Sequence, residues 1–222
     1  MKKVSVILTT YNSEDQLQEV LNSINNQEGR GELFEIELLA VDDCSIDNTK
    51  SILIKNNVGF QLTNYNTGGP NQGRNLALMQ CSGEYICIAD HDDIWFPNRI
   101  KKLLEICHLA PIVTSGYILS DDTSLKQVAR VSKPKGVSGY LIYEKNETFL
   151  RKLAKSKSGQ QTYLGSILFH SSLKQILFEE EFGMIDFDWV LKLFHNKASV
   201  EVCSALYLRK VESDNLSLNE QY

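Results

Sequence analysis

Val4-Ser5-Val6-Ile7-Leu8-Thr9 is a largely apolar, β-branched run that breaks into the polar Thr10-Tyr11-Asn12-Ser13-Glu14, after which Leu17, Val20, Leu21 and Ile24 recur at helical spacing. Such a run suits a strand buried on both faces of a parallel sheet, and the spacing that follows places one apolar stripe on a helix. The unit of strand, loop and helix then repeats. Ile36 to Val41 is apolar apart from Glu37, Asp42-Asp43-Cys44-Ser45 is a polar turn, and Asp47 or Asn48 can cap a helix through Ile54. Phe60-Gln61-Leu62 is a short strand, Asn66-Thr67-Gly68-Gly69-Pro70 a cluster of turn formers and Gln72 to Gln80 a helix. Tyr85 to Ala89 is a fourth buried strand, ending at Asp90-His91-Asp92-Asp93. Strands and helices alternating over residues 1–110 predict an α/β fold with a doubly wound, mostly parallel sheet, in which ligands bind beyond the carboxyl ends of the strands.

Residues 111–222 are less regular. Ile112-Val113-Thr114 and Tyr117-Ile118-Leu119 read as two strands around a turn, and the polar, basic stretch from Ser120 to Gly139 as a loop or lid. Thr148 to Ala154 reads as a helix, Leu164 to His170 as a strand, Phe187 to Phe194 as an amphipathic helix and Val200 to Leu208 as a last strand. No repeat and no linker rich in Pro, Gly or Ser divides the chain, so 1–222 is expected to be a single domain.

Composition narrows the function. The 222 residues carry 23 Lys and Arg against 28 Asp and Glu, a formal charge of −5, which argues against a nucleic-acid-coating protein. The charge is uneven: nine basic and two acidic residues between Lys126 and Lys157 give that segment +7 and leave −12 for the rest. No apolar run approaches the length of a membrane span, and the N-terminal run is too short for a signal segment. Cys44, Cys81, Cys87, Cys107 and Cys203 form no Cys-x-x-Cys pair and read as reduced thiols of a cytoplasmic protein.

Three strand ends bear the groups that chemistry can use: Thr9 to Glu14, Asp42-Asp43 and Asp90 to Asp93. Three carboxylates within four residues repel one another, and a divalent cation relieves that repulsion. Hard oxygen ligands suit Mg²⁺ or Mn²⁺, which complete their shells from water and phosphate, so a nucleoside diphosphate is the matching ligand. Taken alone, an Asp-x-Asp at a strand end more often starts a turn or caps a helix. There is no Gly-x-Ser-x-Gly, no Walker loop and no dinucleotide fingerprint in the sequence.

Four segments in this order resemble glycosyltransferase family 2: Val4 to Asn12, Val41 to Thr49, Asn66 to Asn75 and Gly83 to Asp93. The resemblance covers about 100 residues. It implies a GT-A fold in one domain, with a nucleotide-sugar-binding half (1–110) and an acceptor-binding half (111–222). By that resemblance Thr9 and Tyr11 would line the nucleoside pocket, with Asn12, Glu14 and Gly73 among the nucleotide-binding positions. Asp43 would hydrogen-bond the base, and Arg74 would lie near the base or the diphosphate. Asp92 would be the direct metal ligand, Asp90 would sit nearer the ribose or a metal-bound water, and Asp93 would be a third carboxylate. Asp42 could equally hold the turn, and Glu14 could equally be a first-turn helix acid.

The second half matches in two places. Gly183 to Lys192 resembles the segment that carries the family's catalytic base, which makes Asp186 the base, although Ile185 and Lys192 replace the Glu and Arg that flank it in the family. Asp188 competes for the role and is expected instead to cap the helix. Leu206 to Ser217 resembles the closing segment, but Val211 or Glu212 stands where a histidine would complete metal binding. His108, His170 and His195 are read as ordinary partly buried or surface residues. Trp95 and Trp189 are placed either against a sugar or in the core.

The function expected is transfer of a sugar from a nucleoside-diphosphate sugar, UDP favoured, to an acceptor hydroxyl with inversion, with Mn²⁺ or Mg²⁺ as cofactor. A glycan or lipid-linked oligosaccharide would be the acceptor, in assembly of bacterial surface polysaccharide. The stretch 126–157 would meet the inner face of the membrane or remain a solvated loop. A non-catalytic nucleotide-sugar or glycan-binding module is the alternative. A nucleotidyltransferase is a lesser one, since the Gly-rich loop such enzymes carry after the first strand is missing.

Overall fold

The computed structural model describes residues 1–120, 128–136, 138–155, 164–181 and 186–210. Strand β1 (Lys2–Thr10) is buried from Val4 onward because both of its faces are covered. It lies parallel between β2 (Phe34–Asp42) and β4 (Tyr85–Ala89), and β3 (Phe60–Leu62) extends the sheet beside β2. Alternate side chains of β1 serve different layers. Val4, Val6 and Leu8 share one core with Leu17, Val20, Leu21 and Ile24 of α1 (Leu17–Asn25) and Leu53 of α2 (Thr49–Lys55). Ile7 shares the other with Ala77 and Leu78 of α3 (Asn71–Gln80). The sheet is therefore wound on both faces, as the alternating pattern predicts.

Beyond β4 the sheet becomes mixed. Strand β9 (Ile167–His170) runs antiparallel between β4 and β6 (Ile112–Ser120), and β10 (Ser199–Lys210) is parallel to β6. Two reversals restore the direction of β1, so the ends of β6 and β10 at Ser120 and Lys210 lie on the same edge as Thr10, Asp42 and Ala89. Strand β5 (Asp93–Trp95), which the sequence reading lacks, turns back from that edge and pairs antiparallel with the end of β10. Helix α4 (Arg99–Ile106) buries Ile100 and Leu103 in the core shared with α1. On the opposite face α6 (Asp186–Phe194) buries Trp189, Val190, Leu193 and Phe194, and α5 (Glu147–Lys155) packs beside it.

Several expectations are corrected. Residues 112–120 form one strand, not two around a turn. Gly116 permits this by a close approach: a Cβ there would stand 2.0 Å from the carbonyl oxygen of Ser132. That contact belongs to β7 (Val128–Ser132), which pairs antiparallel with β6 inside the stretch read as a loop, and β8 (Tyr140–Tyr143) pairs with β10. Helix α6 starts at Asp186, so Asp188 is not its cap. It lies in the first turn, with its Oδ2 2.6 Å from Lys192 Nζ. At the start of α2 the N-cap position is Asn48, and Asp47 just before it accepts from Thr49 N through Oδ1 at 3.0 Å. Ile185, Val211, Glu212 and parts of 120–139 and 126–157 lie outside the described residues. All five cysteines are free thiols, and no helix among the described residues is long and apolar enough to cross a membrane.

Candidate active site

Two loops at the carboxyl edge are laced together. Asn12, at φ 45°, donates its N–H to Ser45 Oγ (2.9 Å) and accepts from Ile46 N through Oδ1 (3.0 Å). Glu14 accepts from the backbone and side-chain nitrogens of Asn48 at 2.9 and 2.6 Å. These two residues thus fasten the β1–α1 loop to the β2–α2 loop. Asp42, fully buried, accepts from Thr10 Oγ1 (2.9 Å), Ser45 Oγ (2.6 Å) and Ser45 N (3.0 Å), so it holds the turn. Asp43 faces the other way: it takes hydrogen bonds from Thr63 Oγ1 (2.7 Å) and from Thr67 N and Oγ1 (3.0 and 3.1 Å), drawing the 63–70 loop against the end of β2.

Gly73 acts by packing. A Cβ there would stand 3.0 Å from Thr9 Cγ2 and 3.2 Å from Val41 Cγ1, and the glycine lets α3 settle closely on β1 and β2. That seating places Arg74, one residue on, inside the protein at 3% exposure. Its Nη2 donates to Asp90 Oδ1 at 2.9 Å and its Nη1 to Asp186 Oδ1 at 2.5 Å and to Asn71 Oδ1 at 3.2 Å. The guanidinium also lies over the Phe178 ring, 5.2 Å from its centre. Thus Arg74, Asp90 and Asp186, from three separate motifs, meet at one point. Thr9 is buried near them and Tyr11 stays 43% exposed at the loop rim.

The acidic edge is electrostatically loaded. Burial raises the Asp92 carboxyl; the charge of His91 opposes the shift and that of Asp90 adds to it. Burial raises Asp93 well above the usual carboxyl range, and Asp90 and Asp92 push it further. Asp186 is also raised, mainly by loss of water, against the lowering effect of Arg74. Arg209, at the end of β10, favours the charged form of all three. No group of three or more His, Cys, Asp or Glu side chains is arranged around a metal position among the described residues. The donor set nonetheless fits Mg²⁺ or Mn²⁺ bound in the open manner of nucleotide sites, where one or two carboxylates hold the ion and phosphate oxygens complete it.

Asp93 is not exposed in the cleft. It lies in β5 at 2% exposure, with Gly165 so close that a Cβ there would stand 2.6 Å from its Oδ2. Near it is Arg99, fully buried, its Nη2 bonded to the Gly165 carbonyl and its charge over the rings of Trp95 (4.4 Å) and Tyr207 (5.7 Å). Sequence reasoning missed Arg99 because a single arginine at a helix start carries no signal of burial. It also missed how Asn71 and Asn75 of α3 bond the carbonyls of Glu179 and Phe178, which ties the second half down onto the first. Both tryptophans are core residues: Trp95 is 2% exposed, and Trp189 is buried and stacked on Phe178 at 4.4 Å. His108 and His195 are on the surface, and His170 caps a short turn by accepting from Ser172 N.

A doubly wound sheet continued by a mixed half, with carboxylates gathered on its carboxyl edge, is the GT-A architecture of nucleotide-sugar glycosyltransferases. The model of glycosyl transferase family 2 matches residues 5–193, and the chain belongs to that family. It is 42% identical over 105 residues to the poly(ribitol-phosphate) β-N-acetylglucosaminyltransferase TarS of Staphylococcus aureus, a match covering 46% of this chain and 18% of that protein. It is 31% identical over 110 residues to a GalNAc(5)-diNAcBac-PP-undecaprenol β-1,3-glucosyltransferase of Campylobacter jejuni, covering 47% and 34%. The chain thus matches less than half the length of either. Among solved structures it resembles residues 1–349 of S. aureus TarS in complex with UDP-GlcNAc (TM-score 0.76, 24% identity, 99% of this chain and 61% of that one). It also resembles a mannosyltransferase of Pyrobaculum calidifontis in complex with GDP-Man and Mn²⁺ (TM-score 0.66, 18% identity, 96% and 58%).

Proposed function

We propose that the chain transfers a sugar from a nucleoside-diphosphate sugar, a UDP-sugar in the first instance, to an acceptor hydroxyl with inversion, with Asp186 as general base. The observation that carries this reading is the meeting of Asp90 and Asp186 on the two arms of Arg74, which puts the candidate base beside the acidic strand end. Asp186 Oδ1 is engaged by Arg74, and Oδ2 has no hydrogen-bond partner among the described residues. That second oxygen would take the hydroxyl proton while the acceptor oxygen bonds to the anomeric carbon and the diphosphate leaves with its bonding electrons, a role that contributes roughly 10²- to 10⁴-fold. Asp92, with Asp90 beside it, would hold Mn²⁺ or Mg²⁺. Bound there, the cation supplies charge neutralisation for the leaving diphosphate.

UDP-GlcNAc in the TarS complex supports the choice of donor, and Mn²⁺ in the mannosyltransferase complex supports the cation. The poly(ribitol-phosphate) and undecaprenol-linked glycan named for the relatives support a role in bacterial surface polysaccharide assembly. Helix α5 supports contact of 126–157 with the inner face of the membrane. It exposes Leu150 and Leu153 beside the exposed Arg151 in the basic part of an acidic chain. The deciding experiment is Asp186→Asn. It should retain UDP binding by calorimetry and lose turnover of UDP-GlcNAc, measured as UDP release, by about 100-fold or more. Survival of turnover to within about tenfold would remove Asp186 from the role. Because Asp186 is raised and must be ionised to act, wild-type turnover should fall on acidification through an apparent pKa above that of an ordinary aspartate.

A further inference from the structure

We propose that Arg74 is a positioning residue for Asp186, resting on the reading of Asp186 as the base: its planar fork, rooted in the nucleotide half, holds one oxygen of that carboxylate so that the other is presented to the acceptor. Three features carry the assignment. The Arg74 side chain is 4% exposed and the Asp186 side chain 41%, so the arginine is the more deeply held member of the pair and the carboxylate, with one edge open, is the one it orients. The two terminal nitrogens take different carboxylates, Asp90 at 2.9 Å and Asp186 at 2.5 Å, so the rigid width of the fork sets their separation. The plane of the fork is itself held, by Asn71 Oδ1 at 3.2 Å and by the Phe178 ring, which stacks on Trp189 of the same helix that begins at Asp186.

The circuit is closed by Asn75, whose Oδ1 accepts from Phe178 N at 2.8 Å. Arg74 and Asp186 are 112 residues apart, and their contact registers the half that binds the donor against the half that supplies the base. A simple role in stability is a poor account, because a buried ion pair is often no better for folding than apolar packing of the same volume. Direct capture of the diphosphate by Arg74 would require it to release a carboxylate, and that alternative is an outcome of the test.

Arg74→Lys keeps the charge but cannot span two carboxylates. The expected result is a loss of about 100-fold in kcat for UDP-GlcNAc turnover, the scale of an ångström misplacement at a reacting centre. The dissociation constant of UDP by calorimetry should change by less than about threefold, less than the tenfold that 1.4 kcal/mol represents. In an Asp186→Asn background the same change should cost almost nothing further, because residues acting as a unit are not additive. Unchanged kcat in Arg74→Lys, weakened UDP binding with kcat preserved at saturation, or additive losses in the double variant would each overturn the assignment. Asn71→Ala, which leaves the guanidinium in place and removes one of its acceptors, is the second variant if Arg74→Lys does not fold: kcat should drop severalfold with UDP affinity preserved, and an unaltered kcat counts against the proposal. Failure of the base reading is seen separately, as turnover retained in Asp186→Asn alone.

Discussion

Two adjacent aspartates at the end of β2 carry different burdens, and only their surroundings distinguish them. Asp42 is sealed in its turn by Thr10 and Ser45, whereas Asp43 binds the loop that leads to Arg74. The acidic edge divides in the same way: Asp93 is packed under the strand end beside Arg99, while Asp90 and Asp92 stay partly exposed. The raised carboxyl of Asp92 has an immediate consequence, since a group whose charged form is disfavoured by burial and by a like charge gains from a cation that favours that form. Titrating Mn²⁺ in the presence of UDP should raise the melting temperature of the wild-type protein by several degrees, equivalent to about 1–3 kcal/mol of linked binding, and should do little to Asp92→Ala. An equal rise in both proteins would place the ion elsewhere. Asp42, Asp43 and the acidic cluster are all visible as strand-end acids in the sequence. Which of them is sealed and which is open is not visible, because burial depends on partners from other elements.

At the scale of elements, the strands and helices of the first half follow from hydrophobic period, since a strand covered on both faces must be continuously apolar and its helices need only one stripe. The second half departs where pairing rather than period governs. Strand β6 runs through Gly116 without a turn because the backbone at Ser132 crosses directly over it, and β7 forms on that edge. The glycine had the appearance of a turn residue; its use is to admit another chain segment. Gly116→Ala should therefore destabilise the protein by about 1–3 kcal/mol or more, as overpacking does, with a lower denaturant midpoint and an unchanged slope if the loss stays cooperative. A variant as stable as the wild type would mean that β7 can move away without cost. Helix α6 gives a second case: its start at Asp186 places two acids in the first turn, a favourable arrangement with the helix dipole that also fixes where the candidate base begins.

For the whole molecule, the opposition between the basic stretch 126–157 and the acidic remainder leaves two readings, an anionic partner or a solvated surface. If that partner is the membrane, the protein should sediment with vesicles of anionic lipid at low salt and be released at high salt, each basic residue near the surface contributing about 1 kcal/mol. Leu150→Glu with Leu153→Glu should weaken this binding while leaving UDP affinity intact. Sedimentation that ignores both salt and these leucines would reduce the segment to a solvated surface. The residue order alone determined the alternation of strands and helices, the placement of acids at strand ends and the family, because hydrophobic period, turn chemistry and short motifs are all local in the chain. Only the tertiary structure decided that Arg74 joins Asp90 to Asp186. A guanidinium taken out of water must find its carboxylates among whatever the packed helices and sheet bring within reach, and that reach is set after α3 and α6 have seated on the same face, 112 residues apart in the sequence.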